Sequence, residues 1–127
     1  MTFKIIYPTE YGQMVHMIGS HEKFGRWQSD YFSIPLEWNS GNVWTLTLDK
    51  KLLPKRSEFK FILKCDNRVI KWEERSNRAF DINIIQYALR TSKNIKSKGY
   101  TLIDQRTTKL EYDYNKESVI LTHKWDL

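Results

Sequence analysis

The chain has 127 residues, of which 40% are hydrophobic and 28% charged, and its formal net charge is +6. This length and balance are typical of one soluble globular domain and exclude fibrous and disordered classes. A single cysteine, Cys65, excludes an internal disulfide, so we expect an intracellular, cytoplasmic protein. No apolar run approaches the roughly 18–20 residues of a membrane span, and Lys4 and Pro8 interrupt the first one. We therefore expect neither a membrane span nor a secretory signal.

Alternation of apolar and polar residues predicts short β-strands along much of the chain. The clearest runs are Phe3–Tyr7, Met14–Ile18, Trp44–Leu48, Phe59–Cys65, Val69–Glu73 and Val119–Trp125. Asp66-Asn67, between the fourth and fifth runs, is typical of a two-residue hairpin turn. Short strands separated by frequent turn residues predict an all-β protein, an antiparallel sandwich or barrel.

One segment departs from this pattern. Apolar residues from Ile84 to Leu89 fall at roughly helical spacing, and Gly99 ends the helical pattern. We interpret residues 84–116 as an atypical, extended insertion before the last strand, with a short helix and an extra hairpin around residues 101–114. The sequence has no internal repeat and no Pro/Gly/Ser-rich linker, so we expect residues 1–127 to form a single domain.

Residues that carry chemistry in enzymes form no known catalytic pattern. The histidines are His16, His21 and His123, and they have neither the i, i+4 spacing nor the cysteine companions of a metal site. Cys65 ends an apolar strand face, where a free cysteine behaves as a small hydrophobic residue. Glu73 and Glu74 are neighbours in a strand and point to opposite faces, so they cannot flank one glycosidic bond. We therefore expect no enzyme active site, no metal and no cofactor in this chain.

Tryptophan is abundant, with five residues, and its positions suggest two different roles. Trp44 and Trp125 share strand faces with leucines, and we expect both in the core. Trp27 closes a loop with the sequence Phe24-Gly25-Arg26-Trp27, and Trp72 ends a strand just before a dense polar run. These two positions favour a surface role.

Four motifs, in this order, resemble the starch-binding domain, carbohydrate-binding module family 20. They are Ile18-Gly19-Ser20, Phe24-Gly25-Arg26-Trp27, Phe59-Lys60-Phe61-Ile62, and Trp72-Glu73 followed by Asn77-Arg78. The resemblance covers residues 2–82, and the run Val119–Trp125 is similar to the closing strand of the family. The chain departs from the family pattern at Phe24, where leucine is usual, and at Ser76, where proline is common.

The resemblance implies an immunoglobulin-like antiparallel β-sandwich that binds α-1,4-linked glucans at two sites. The first site would consist of a stacking platform, Trp27 and Trp72, and the hydrogen-bonding side chains Lys60, Glu73 and Asn77. The second would consist of Tyr11 and Trp38. The chemistry agrees independently, because an indole covers the apolar face of a glucose ring while donors and acceptors suit its hydroxyl rim.

The resemblance thus implies a non-catalytic module for starch, glycogen, cyclodextrin or maltooligosaccharides that directs an attached or partner activity to the polysaccharide. Since the chain begins at Met1, we expect the module to be N-terminal in a larger protein with a linked catalytic domain. One alternative is a β-sandwich that binds protein and has lost glucan binding. Another is nucleic-acid binding through Arg90–Lys98, which we do not favour because that stretch lacks regularly interleaved aromatic residues.

Overall fold

Two β-sheets packed face to face form the body of the computed structural model, which describes residues 1–125. The strands in this part of the chain are β1 Thr2–Ile6, β2 Gln13–Gly19, β3 Ile34–Pro35, β4 Glu37–Asn39, β5 Val43–Thr47, β6 Arg56–Cys65, β7 Arg68–Trp72, β8 Arg78–Asp81, β9 Tyr100–Ile103, β10 Thr108–Asp113 and β11 Ser118–Lys124. The helices are α1 Ile82–Thr91 and α2 Lys93–Lys98, with short 3₁₀ turns at Glu22–Phe24 and Lys50–Leu52. The predicted all-β sandwich is confirmed. Neither helix has the length and apolar character needed to cross a bilayer.

The first sheet has the strand order β4-β5-β1-β11-β10-β9, and the second has the order β3-β2-β6-β7, with β8 also paired to β6. Strands β1 and β11 run parallel, with Phe3 opposite Leu121. The other strand pairs of the described chain are antiparallel, as the alternation predicts. The parallel pair joins the beginning and the end of the chain, and it places the late strands next to the first.

Strand β6 is the centre of the second sheet, because β2, β7 and β8 all pair with it. Its alternation follows the prediction: Phe59 and Phe61 face the core, whereas Lys60 and Ile62 face outward. The β6–β7 hairpin turns at Asp66 and Asn67, which adopt φ values of 50° and 62°. Two successive left-handed residues are the requirement of the predicted two-residue turn.

Aromatic rings fill the space between the sheets. The Phe3 ring lies within 6.3 Å, centroid to centroid, of the rings of Phe24, Phe59 and Phe80, two of them edge-on. Each phenylalanine buried in this way contributes about 1.5–3 kcal/mol to folding. Trp44 and Trp125 are also buried in this core, as predicted.

The segment 84–116 contains the predicted helix and hairpin. Asp81 caps α1 by accepting a hydrogen bond from the backbone N–H of Asn83 at 2.9 Å. Ile85 of α1 and Ile95 of α2 are buried in the same core as the sheets. Strands β9 and β10 then extend the first sheet beyond β11. The segment therefore enlarges the sandwich and packs against its interior.

Candidate functional site

Trp27 and Trp72 lie side by side at the surface of the second sheet. Their ring centroids are 6.4 Å apart and their planes are inclined by 45°. Trp72 is 38% exposed and Trp27 is half-buried, and neither belongs to the core cluster. The structure thus brings together two tryptophans that are 45 positions apart in the sequence.

Trp72 lies beside apolar side chains on the outward face of the second sheet. It is the last residue of β7, directly opposite Ile62 of β6. Ile62 and Ile18 are fully buried although they point away from the main core. They occupy the face that carries Trp72, where cross-strand neighbours support one another. Trp72 therefore has a buried apolar neighbour across the strand pair.

Trp27 is held by a tight loop that leaves β2 at Gly19. Its backbone N–H donates to the Gly19 carbonyl at 2.9 Å. Gly19 itself admits no side chain, because a Cβ there would lie 2.4 Å from the Glu58 carbonyl oxygen. Arg26 and Trp27 both adopt left-handed φ values, 49° and 61°. Such strained non-glycine residues cost about 1–2 kcal/mol each and concentrate at functional sites.

Residues 28–33, which continue this loop, are tied to the second sheet by buried polar groups. Nζ of Lys64 donates to the Ser29 carbonyl at 2.8 Å. Nδ1 of His16 is hydrogen-bonded to Oγ of Ser33 at 3.0 Å. Lys64 is almost completely buried, and burial makes such contacts costly to break. The loop that presents Trp27 is therefore anchored on both strands below it.

The His16 anchor should make stability depend on pH. Burial, reinforced by the Lys64 charge, lowers the pKa of His16 from 6.5 to about 4. The unfolded chain binds this proton near pH 6.5 and the folded chain only near pH 4. The His16 contribution is thus complete above pH 6.5 and is lost as the pH falls toward 4.

Thermal melts at pH 7.5 and pH 5 would measure this effect. We expect the melting temperature of the wild type to fall between these pH values, and to fall less in His16→Gln. His123 also has a lowered pKa because of its burial, but it is present in both proteins and cancels in the comparison. An equal drop in the two proteins would contradict the assignment.

Hydrogen-bonding groups also lie on β6 and in the loop between β7 and β8. Lys60, half-buried on β6, donates from Nζ to the Glu73 carbonyl at 3.3 Å. Nδ2 of Asn77 donates to Oε2 of Glu58 at 3.0 Å, and both side chains are exposed. Glu58 was missed by the sequence analysis, although the strand alternation places it on the same face as Lys60.

The prediction that Glu73 offers its carboxylate to a ligand is wrong. The residue is only 2% exposed. Its Oε1 accepts from the Phe61 backbone N–H at 2.9 Å and from Nε of Arg78 at 3.0 Å, and its Oε2 accepts from Nη2 of Arg78 at 2.7 Å. Glu73 therefore neutralises a buried arginine and binds the end of β7 to β6. Glu58, by contrast, is exposed and accepts from Asn77.

The two residues predicted for a second site are both exposed. Tyr11 is fully exposed in the connection between β1 and β2. Trp38 lies on the edge strand β4 and is 52% exposed, with its Nε1–H donating to Oδ1 of Asn42 at 3.2 Å. Both side chains are available to a ligand.

Chemically, the described residues offer flat apolar rings bordered by donors and acceptors. No cluster of three or more His, Cys, Asp or Glu side chains suited to a metal ion occurs within residues 1–125. Arg78, the last residue of the fourth motif, is fully buried and forms an ion pair with Glu73. Such a surface can hold a polyhydroxylated ligand by its faces and its rim.

Comparison with known proteins places the chain in a family. The profile of the family described as starch binding domain matches residues 1–92. Human starch-binding domain-containing protein 1 is 37% identical over 68 residues, which are 52% of this chain and 17% of that protein. Thermophilic beta-amylase of Thermoanaerobacterium thermosulfurigenes is 32% identical over 75 residues, 58% of this chain and 13% of that protein. The matched stretch spans less than a fifth of either relative.

Solved structures share the fold. The family 20 carbohydrate-binding module of the maltotetraose-forming amylase from Pseudomonas saccharophila STB07 superposes with a TM-score of 0.54 at 22% identity, covering 63% of this chain and 86% of that one. The glucoamylase of Hypocrea jecorina gives a TM-score of 0.52 at 24% identity, covering 62% of this chain and 14% of that one. Since the family profile covers more than half of its length, this chain belongs to the starch-binding domain family, carbohydrate-binding module family 20.

Proposed function

We propose that this chain binds α-1,4-linked glucans by stacking glucose rings on Trp27 and Trp72. The observation that carries the proposal is the tryptophan pair at the surface, with Trp27 half-buried, ring centroids 6.4 Å apart and planes inclined by 45°. Two inclined planes suit successive sugars of a curved α-glucan chain better than one flat surface would. Membership of a starch-binding family supports the same ligand class.

The binding energy comes from apolar burial that orders few side chains. One face of a glucose ring exposes C–H groups, and covering it is worth roughly 25 cal/mol per Å² of apolar area. A tryptophan side chain has only two rotatable bonds, so fixing it costs little entropy. Here Trp27 and Trp72 already support each other, which lowers this cost further.

Selectivity for sugar comes from the polar rim. Lys60 supplies a donor, Glu58 an acceptor and Asn77 both, which matches hydroxyl groups that donate and accept. All three already bond to protein groups, so a glucan would join an existing hydrogen-bond network. We assign these residues, in place of Glu73, to the first site.

Tyr11 and Trp38 form the proposed second site, which raises the affinity for a long polymer. A single shallow and wet site binds sugar with a dissociation constant on the order of micromolar to millimolar. Two sites on one polysaccharide increase the overall affinity through effective concentration. We propose that the module thereby brings an attached or partner activity to starch or glycogen inside the cell.

Sedimentation with insoluble starch tests this proposal. We expect the purified protein to pellet with the starch, and soluble β-cyclodextrin to release it by competing for the tryptophan pair. Binding should change little between low and high salt, because stacking on a neutral sugar involves no counterion release. A protein that stays in the supernatant would contradict the proposal and favour a protein-binding sandwich, while steep salt dependence would favour a polyanion ligand.

A further inference from the structure

The loop that carries Trp27 also forms a small cleft. It has a volume of about 250 Å³ and is lined by Glu22, Gly25, Arg26, Gln28 and Phe32. Arg26 and Gln28 are the direct chain neighbours of Trp27. Resting on the proposed function, we propose that this cleft binds a further glucose unit of the glucan chain held by the tryptophan pair.

Phe32 provides the apolar wall of the cleft. Its side chain is 57% exposed, although its backbone is firmly held. The N–H of Phe32 donates to the Gln28 carbonyl at 3.1 Å, and the next residue, Ser33, is bonded to His16. Gly25 packs directly against Phe32, because a Cβ on Gly25 would lie 2.5 Å from the Phe32 carbonyl oxygen. An exposed ring on an anchored turn is preorganised to stack on a sugar.

Polar groups of both kinds border the same cleft. Nη2 of Arg26 and Oε2 of Glu22 form an ion pair at 3.0 Å, and about two-thirds of each side chain is exposed. Gln28 adds an exposed amide. Together they present donors and acceptors around an apolar wall, which is the combination that a glucose ring requires.

Charge indicates which ligand the cleft takes. The lining residues contain one anion and one cation, and these two are paired. The cleft is therefore close to neutral although the whole chain carries a net charge of +6. A neutral sugar fits this balance, whereas an anionic polymer or an acidic peptide would find no unpaired cation among the five lining residues. Because Arg26 and Gln28 flank Trp27 in the chain, the expected occupant of the cleft is the same glucan that binds Trp27.

Titration calorimetry with maltotriose and maltoheptaose tests the inference. Phe32→Ala keeps the backbone and Cβ that contact Gly25, so its melting temperature should match that of the wild type. We expect Phe32→Ala to weaken maltoheptaose binding about fivefold and to leave maltotriose binding unchanged, because only the longer chain reaches the cleft. The matched control is Tyr31→Ala, which removes an exposed ring of the same loop outside the cleft and should bind both sugars normally.

The outcomes separate this inference from the proposed function. If Phe32→Ala binds both sugars like the wild type while Trp72→Ala binds them more weakly, the proposal that the cleft binds glucose is overturned and the tryptophan site stands. If Phe32→Ala loses the same affinity for both sugars, then Phe32 acts by positioning Trp27. That result would also overturn the proposal of a separate glucose subsite. Failure of the wild type to bind either sugar would overturn the proposed function itself.

Discussion

Replacing Trp72 by alanine is expected to weaken glucan binding by about 1–3 kcal/mol, a loss of roughly fivefold to more than a hundredfold in affinity. Trp72 is the more exposed member of the pair and lies opposite the buried Ile62 on the neighbouring strand. Its removal takes away one stacking surface and also leaves the Trp27 ring without its neighbour at 6.4 Å. Trp27→Ala should have an effect of similar size. Calorimetry with β-cyclodextrin measures both losses.

Two comparisons make this test specific. Tyr114→Ala removes an exposed ring at the β10–β11 hairpin, away from the proposed sites, and should bind β-cyclodextrin like the wild type. Trp72→Phe keeps an aromatic surface and should retain part of the affinity. If Trp72→Ala has the wild-type melting temperature and also the wild-type affinity, then the first site has been misplaced.

Replacing Arg78 by methionine is expected to lower the free energy of unfolding by about 3–5 kcal/mol. Arg78 and Glu73 form a fully buried ion pair, with Nη2 and Oε2 2.7 Å apart. Nη2 of Arg78 also donates to the Lys124 carbonyl at 2.8 Å, which ties the second sheet to β11. Without the arginine, the Glu73 carboxylate stays buried with no opposite charge. Urea denaturation of the variant and the wild type measures the difference.

An ion pair between β6 and β8 with an exposed arginine serves as the matched control. Arg56 and Asp81 are 3.1 Å apart, and the Arg56 side chain is largely exposed. Arg56→Met should therefore change the free energy of unfolding by at most about 1 kcal/mol. Combining Glu73→Leu with Arg78→Met should recover part of the loss, because no unpaired charge then remains buried. Equal effects of Arg56→Met and Arg78→Met would contradict the role given to the buried pair.

Much of the fold could be predicted from local sequence patterns. The alternation of Phe59, Lys60 and Phe61 determines which face of β6 packs inward, and Asp66-Asn67 determines its hairpin. These features depend on neighbouring residues, so a single sequence contains the information. The parallel pairing of β1 with β11 joins residues more than 110 positions apart, and no local pattern indicates it.

The candidate site could be predicted only in part, because some of its features depend on local motifs and others on long-range contacts. The ordered motifs identify Trp27 and Trp72, whose contact depends on a loop and a strand end brought together by the fold. The family motif assigns Glu73 to the first site, whereas the strand alternation places Glu73 and Trp72 on opposite faces of the sheet. Glu58 was overlooked because its bond to Asn77 crosses from β6 to the loop before β8.

The most direct test of the account is the response of the tryptophan indole N–H signals in a ¹H–¹⁵N spectrum during titration with maltoheptaose. Single substitutions assign the five indole signals. We expect the Trp27 and Trp72 signals to shift together and saturably, while those of the buried Trp44 and Trp125 stay in place. Signals of Trp27 and Trp72 that remain unmoved at saturating sugar would contradict the account.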